Sequence, residues 1–220
     1  YYDQEDINGP QLMYSHMEKN DPLDKNYLVL GPWNHGQWAR NNGSSLGKID
    51  FGSNTGIWFL QLQKKWFDYW LKGKGDGKFD EATCFQTGSN QWKTYSTWPP
   101  KEATIKKLYA GANQTASFTK PAASSTIGYE SYISDPAKPV PYRTLPIGAT
   151  YGSGSRWKPW QVEDQRFVYT RPDVLSFTMD SLTEDITVTG KIMAHLFAST
   201  SGTDADWVVK LIDVYPAFNK

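Results

Sequence analysis

The chain has 220 residues, which is enough for one large or two small domains with a real hydrophobic core. Its 23 basic and 23 acidic residues balance, so we predict neither a basic stripe for nucleic acid nor a polybasic membrane-binding surface. No apolar stretch approaches the roughly 20 residues that a membrane span requires. Nucleic acid and membrane are therefore excluded as expected partners.

The first informative pattern joins an acidic start to a histidine. Asp3 opens an acidic stretch, and residues 11–19 can form a helix after it. The apolar run 27–30 then stops at Gly31, as a strand buried on both faces of a parallel sheet would. His35 follows this strand directly, at the end of the sheet where functional side chains gather. Because a helical crossover connects parallel neighbours, Asp3 and His35 are predicted to meet.

This pairing is typical of the acid and the base of a catalytic triad. Asp3 would accept a hydrogen bond from one nitrogen of His35, so that the other nitrogen takes a proton from a nucleophile. A G-x-S-x-G string occurs around Ser45, but it follows a polar run and lacks the strand before it and the helix after it that a nucleophile elbow needs. We interpret Ser45 as an ordinary loop serine and expect the nucleophile outside this sequence.

Helical periodicity predicts an amphipathic helix over residues 56–71, packed on a sheet. The glycine-rich stretch 72–77 stops that helix and resembles a flexible linker. We therefore place a domain boundary near residue 77. It separates an α/β part, residues 1–77, from a second part, residues 78–220.

The second part shows alternating rather than helical periodicity, and it is predicted to form a β-sandwich. The predicted strands are 82–87, 107–110, 174–179, 186–197 and 207–215. The proline-rich stretch 134–160 is too irregular for a sheet interior, and we expect it to wrap the surface or to reach toward a site. The last strand is apolar on both faces, so we expect partner strands that are not in this sequence.

The sequence predicts neither a cofactor nor a metal site. Its single cysteine, Cys84, excludes an internal disulfide and reads as a small buried hydrophobe. The cysteine and the 3 histidines lack the spacing that metal ligation needs. His195 alternates with apolar neighbours on a predicted strand, which favours a core residue over a catalytic one.

A family resemblance appears in strings spread along nearly the whole chain. These are DQED at 3–6, GPWNH at 31–35, EDQRF at 163–167, RPDVL at 171–175 and STSGTDADWVVKLIDVYP at 199–216. They resemble the α-amino acid ester hydrolases, which are grouped with cocaine esterase, glutaryl-7-aminocephalosporanic acid acylase homologues and X-Pro dipeptidyl peptidases among the serine hydrolases. The resemblance covers the C-terminal segment of an α/β-hydrolase domain, followed by an incomplete, mainly-β jelly-roll (galactose-binding-like) β-sandwich.

The resemblance implies roles for four residues of this chain. Asp3 matches the triad acid and His35 the triad base, while Glu5 and Asp6 match two carboxylates that hold the α-ammonium group of the substrate. Another interpretation of Glu5 and Asp6 stays open, because acidic residues before a helix also stabilise its amino end.

Two functional hypotheses therefore remain. The favoured one is a fragment of a serine hydrolase or acyltransferase that cleaves small-molecule esters or amides of α-amino acyl groups, as a β-lactam antibiotic acylase or a dipeptidyl-peptidase-like enzyme would. Such a fragment would be inactive without its missing N-terminal half. The alternative is a non-catalytic β-sandwich module that binds carbohydrate or another ligand. Family analogy also implies an exported, periplasmic location and a homo-oligomer.

Overall fold

The computed structural model describes residues 1–122 and 128–216. Its α-helices are α1 (Gly9–Met17), α2 (Gln37–Arg40), α3 (Thr55–Lys72) and α4 (Arg166–Tyr169). Its strands are β1 (Leu28–Leu30), β2 (Ser45–Leu46), β3 (Ile49–Asp50), β4 (Ala82–Gln86), β5 (Gln91–Tyr95), β6 (Tyr109–Ala110) and β7 (Ala116–Ser117). Short 3-10 turns lie at Glu18–Asn20, Ala112–Gln114 and Trp160–Val162. Among the described residues, no helix combines the length and the apolarity needed to cross a membrane.

A three-stranded sheet in the order β1-β4-β5 forms the centre of the first half. β1 runs parallel to β4, and β4 runs antiparallel to β5. Leu28 and Leu30 of β1 pack with Tyr14 of α1 on one face of the sheet. On the other face, Phe85 of β4 packs with residues of the β2–β3 hairpin. The predictions of a buried strand at 27–30 and a helix near 11–19 are confirmed.

Helix α3 agrees closely with the predicted helix at 56–71. Its Trp58 stacks on Trp92 of β5, with ring centroids 3.7 Å apart, and this contact fixes the helix against the sheet. The helix ends at Gly73, whose left-handed conformation (φ 62°) lets its N–H reach the Tyr69 carbonyl at 3.0 Å. The predicted glycine stop of this helix is confirmed.

The central sheet extends past the glycine-rich stretch that marks the predicted boundary at residue 77. The predicted strand 82–87 forms as β4, but it pairs with β1 and not with a separate sandwich. Alternating patterns indicate a strand without identifying its partner, which explains why the strand was predicted and its sheet was not. We therefore correct the prediction that residues 82–87 belong to the β-sandwich, because they extend the sheet that contains β1.

The rest of the second half contains small β pieces, one antiparallel pair and one parallel bridge. β6 pairs with β7, and Thr115 forms an isolated bridge with Thr178 in the predicted strand 174–179. These pieces are consistent with the predicted β-rich second half. The predicted range 78–220 also includes residues 123–127 and 217–220, which lie outside the described part.

Three predicted strands are not formed, and one of them, 174–179, contributes only the isolated bridge at Thr178. Residues 186–197 and 207–215 adopt no strand in the described structure, and His195, predicted to be a core residue, is exposed. Strand backbones need hydrogen-bonding partners, and no described segment pairs with either stretch. Phe197 and Val208 are fully or largely exposed as a result. Both stretches therefore have the alternating pattern of a strand, but no sheet among the described residues pairs with them.

Three carboxylates cluster at the amino end of β1 and β4. Oxygens of Glu18, Asp24 and Glu81 lie within 4.8 Å of one another, and the Tyr14 hydroxyl donates to Glu81. Burial, together with the neighbouring acids Glu18 and Asp24, raises the pKa of Glu81 although the bond from Tyr14 opposes it. Carboxylate oxygens are the ligands that a hard cation prefers. The spacing of cysteine and histidine residues could not reveal this cluster, because it contains neither residue type.

The raised pKa of Glu81 predicts a pH-dependent stability. The contribution of the protonated acid is complete below the ordinary carboxyl pKa and is lost as pH rises through the raised value. Glu81→Gln keeps an oxygen for Tyr14 and removes the charge, so we expect a higher Tm at pH 7 and no gain at pH 3. Thermal unfolding measures this, with the exposed Glu102→Gln as control. A lower Tm for Glu81→Gln at pH 7 would contradict it.

Candidate active site

Backbone contacts place Asp3 beside the end of β1. The N–H of Tyr2 donates to the Trp33 carbonyl at 3.1 Å, and the amino group of Tyr1 donates to the Gly31 carbonyl at 2.8 Å. The Tyr1 hydroxyl also donates to the Phe85 carbonyl of β4 at 2.8 Å. The first two residues therefore run alongside the chain that leaves β1, and Asp3 comes next.

A tight turn after β1 holds His35. The N–H of Gln37 donates to the Asn34 carbonyl at 3.0 Å, while the Gln37 side-chain oxygen accepts from the Asn34 N–H at 3.1 Å. Gln37 is buried, and its amide nitrogen also donates to the Ser45 carbonyl at 2.7 Å. Gly36 completes the turn with φ 66°, a value that favours glycine. The His35 N–H donates to the side-chain oxygen of Gln4 at 3.1 Å.

The predicted meeting of Asp3 and His35 is present in the structure. Nδ1 of His35 lies 3.0 Å from Oδ2 and 3.2 Å from Oδ1 of Asp3. Oδ1 also accepts from the N–H groups of Glu5 at 2.8 Å and Asp6 at 3.0 Å. Partial burial acts to raise the pKa of Asp3, but these backbone bonds and His35 outweigh it and lower that pKa. Asp3 is therefore an ionised acceptor at neutral pH.

Glu5 and Asp6 point to different neighbours. Oε2 of Glu5 lies 3.8 Å from Nε2 of His35, on the side of the imidazole that faces away from Asp3. Oδ1 of Asp6 accepts from the N–H of Gly9 at 2.9 Å, at the start of α1. Glu5 is therefore beside Nε2 of His35, whereas Asp6 makes the contact expected of a helix-stabilising acid.

A distant segment, residues 150–162, covers this arrangement, and we call it the covering segment. Together with Gln4, Glu5, His35 and Arg40 it encloses a cavity of about 460 Å³. Its lining residues are Thr150, Tyr151, Gly152, Ser155, Trp157 and Lys158. Part of the stretch 134–160, which we expect to wrap the surface or to reach toward a site, thus lines the cavity beside Asp3 and His35.

The end of the covering segment also contacts the acid directly. Nε2 of Gln161 donates to the main-chain carbonyl of Asp3 at 2.8 Å, although 158 positions separate the two residues. Val162 packs against the cluster of Leu46, Phe51 and Phe85, which anchors Gln161 in place. Gln161 therefore links the second half of the chain to the pair Asp3 and His35.

Ser45 does not occupy a nucleophile elbow. It begins β2, which turns back into β3 as an antiparallel hairpin, and no helix follows it directly. A nucleophile elbow requires a strand, a sharp turn and then a helix. Ser45 therefore lies in a short strand and not in the predicted loop, and its surroundings are not those of a nucleophile elbow.

Reasoning from sequence missed the three glutamines that hold the site. Gln4, Gln37 and Gln161 each bond to backbone near Asp3 or His35. Glutamine occurs on many surfaces, so its presence alone indicates no role. Gln4 lies inside the DQED string and Gln37 two positions after GPWNH, but neither string assigns these glutamines a contact.

Comparison with known proteins assigns the family. Residues 67–219 match the X-Pro dipeptidyl-peptidase C-terminal non-catalytic domain, and the chain belongs to this family. Cocaine esterase from Rhodococcus sp. (strain MB1 Bresler) is 30% identical over 200 residues, which are 86% of this chain and 33% of that protein. These relatives place the chain among homologues of esterases and hydrolases.

Two solved structures resemble the fold. An α-amino acid ester hydrolase is 38% identical with a TM-score of 0.78, over 86% of this chain and 31% of that one. An aminopeptidase from the marine sediment archaeon Thaumarchaeota archaeon is 39% identical with a TM-score of 0.72, over 79% of this chain and 28% of its own. The chain thus spans about a third or less of the length of these relatives.

The contact from Gln161 to Asp3 predicts a measurable tie between the two halves. Gln161→Leu removes one neutral hydrogen bond, worth about 0.5–1.5 kcal/mol, so the loop that follows Asp3 should open more often. We expect amide hydrogen exchange at Glu5 and Asp6 to accelerate by roughly twofold to tenfold. Exchange followed by NMR measures this, with the exposed Gln61→Leu on α3 as control. Unchanged exchange in Gln161→Leu would show that the contact does not restrain the loop that follows Asp3.

Proposed function

We infer that this chain is part of a serine hydrolase or acyltransferase acting on esters or amides of α-amino acyl groups, and that it supplies the acid and base of the triad. The observation that carries the proposal is the contact of His35 Nδ1 with Asp3 Oδ2 at 3.0 Å. It leaves Nε2 of His35 directed away from Asp3, as a general base requires.

The proposed reaction divides the work between this chain and a serine outside it. The serine hydroxyl attacks the carbonyl carbon, and Nε2 of His35 takes its proton as the tetrahedral intermediate forms. His35 then gives that proton to the leaving oxygen or nitrogen, which releases the alcohol or amine and leaves an acyl-enzyme. Water then attacks the acyl-enzyme through the same proton transfers, and the carboxylic acid product is released. Asp3 stays ionised and stabilises the imidazolium that forms twice in this cycle.

Glu5 is the proposed partner of the substrate's α-ammonium group. It lines the cavity next to His35, where an ammonium on the carbon beside the reacting carbonyl would come to lie. A carboxylate about 4 Å from an ammonium gives roughly 4 kcal/mol at an effective dielectric of 20, which offsets lost hydration. The resemblance assigns Asp6 the same task, in competition with its bond to Gly9.

We also propose a division of labour along the chain. Residues 1–77 contribute the catalytic pair, and the residues of 78–220 that follow β5 contribute the non-catalytic β-sandwich, which takes a jelly-roll form with strands from outside this sequence. β4 and β5 join the two parts by extending the catalytic sheet. The exposed apolar faces of 186–197 and 207–215 fit such a completed sandwich.

The isolated chain should have no esterase activity, because an acid–base pair without a nucleophile forms no acyl-enzyme. An assay of the purified chain with an activated ester measures this. Activity that disappears in Ser45→Ala would instead make Ser45 the nucleophile.

In the complete enzyme, His35→Ala should reduce kcat by on the order of 10³-fold or more for every ester, because all substrates use the same proton shuttle. Asp3→Asn should behave similarly, since it removes the charge that orients His35. Steady-state kinetics on two unrelated esters measures both variants, with the exposed His16→Ala as control. A loss confined to one ester would contradict the general role.

Glu5→Gln should act on one substrate class alone. It should weaken esters of α-amino acids by about 1–3 kcal/mol in kcat/KM relative to matched esters without the amine, because only the former use the charge. The same ratio is measured for Asp6→Asn. An equal loss on both esters would indicate that Asp6 stabilises the amino end of helix α1 and does not bind the substrate's ammonium group. Equal losses on both esters for Glu5→Gln as well would remove the α-amino preference.

A further inference from the structure

Two cations in the cavity have no task in the proposed mechanism. Arg40 and Lys158 both line it, Arg40 from the end of α2 and Lys158 from the covering segment. Within residues 1–122 and 128–216, neither forms an ion pair with an acid. Of the other arginines, Arg156, Arg166 and Arg171 are each paired with a carboxylate, while Arg143 packs against the rings of Tyr142 and Trp157. Arg40 and Lys158 are thus free to meet a charge brought by a ligand.

Arg40 is held close to the catalytic turn. Its guanidinium atoms lie 3.4 Å from where a Cβ on Gly36 would sit, and Gly36 directly follows His35. The guanidinium therefore folds back over the turn, at ordinary van der Waals distance from that position. A cation is therefore placed next to the residue that transfers the proton.

The charges lining the cavity differ in sign and in origin. Glu5 is the acid of the lining, and Arg40 and Lys158 are its cations, so the lining carries a net charge of +1 when His35 is neutral. An ammonium next to Glu5 would leave both cations uncompensated. The lining therefore complements a ligand that carries a positive group for Glu5 and a negative group for Arg40 and Lys158.

We propose that Arg40 and Lys158 form a subsite for an anionic group, of carboxylate type, on the leaving portion of the substrate. This inference rests on the proposed function. Glu5 takes the ammonium on the acyl side of the scissile bond, so the anion belongs on the other side. Trp157 and Tyr151 line the same wall and supply apolar surface for the body of the leaving group.

The size of the effect follows from exposure. Arg40 and Lys158 are exposed, so each contributes about twofold to fivefold and not the larger factor of a buried ion pair. Salt should weaken the preference, because the Debye length falls from about 30 Å at 0.01 M to about 3 Å at 1 M ionic strength. Guanidinium matches a carboxylate with two parallel N–H donors, which makes Arg40 the more selective of the pair.

The test compares two esters of one acyl group in the complete enzyme. Their leaving groups are 4-carboxyphenol and 4-carbamoylphenol, and each kcat/KM is divided by the rate of uncatalysed hydrolysis of the same ester, which removes the difference in leaving-group reactivity. We expect the ratio of kcat/KM, anionic over neutral, to exceed 1 at low salt and to fall at 1 M salt. Arg40→Gln and Lys158→Gln should each lower the low-salt ratio by about twofold to fivefold, while the exposed Lys74→Gln keeps it.

The neutral ester reports whether each variant is folded and active. A ratio of 1 in the unaltered enzyme, or a ratio that both variants leave unchanged, would overturn the anion subsite while the proposed function stands. Hydrolysis of neither ester by the complete enzyme would overturn both. A drop in Arg40→Gln alone would confine the subsite to Arg40 and remove Lys158 from the proposal.

Discussion

The hydrogen bond between Asp3 and His35 is the interaction around which the described structure is organised. It joins two segments that arrive from different directions and meet at the carboxyl end of β1. The bond needs a fixed imidazole and an ionised carboxylate. The turn locked by Gln37 supplies the first, and backbone donors from Glu5 and Asp6 supply the second.

The sheet explains why the pair forms at this place. β1 is covered on one face by α1 and is extended by β4 and β5, so its end is rigid. A rigid end positions side chains more precisely than a free loop does. The covering segment then adds the opposite wall and holds Asp3 through Gln161. The second half of the chain therefore shapes the cavity, although Asp3 and His35 both belong to the first half.

Local patterns were sufficient for part of this structure. The apolar run that became β1, the helical spacing of α3 and the glycine at its end are all recorded in neighbouring residues. The pairing of Asp3 with His35 followed from the geometry of parallel strands together with a family resemblance. Contacts between distant segments could not be predicted from local patterns, because nothing near Gln161 indicates that its partner is Asp3. The strands at 186–197 and 207–215 failed for the related reason that a strand depends on a partner elsewhere.

The central claim is that Asp3 fixes the tautomer of His35, and nitrogen NMR tests it most directly. The chain has 3 histidines, so a sample labelled with ¹⁵N-histidine gives few signals, and His35→Ala assigns the relevant pair. In the neutral imidazole we predict a proton on Nδ1 and an unprotonated Nε2 for His35, with that preference lost in Asp3→Asn. A neutral His35 that carries its proton on Nε2 while Asp3 is intact would contradict the account, because that nitrogen could then no longer accept a proton from a nucleophile.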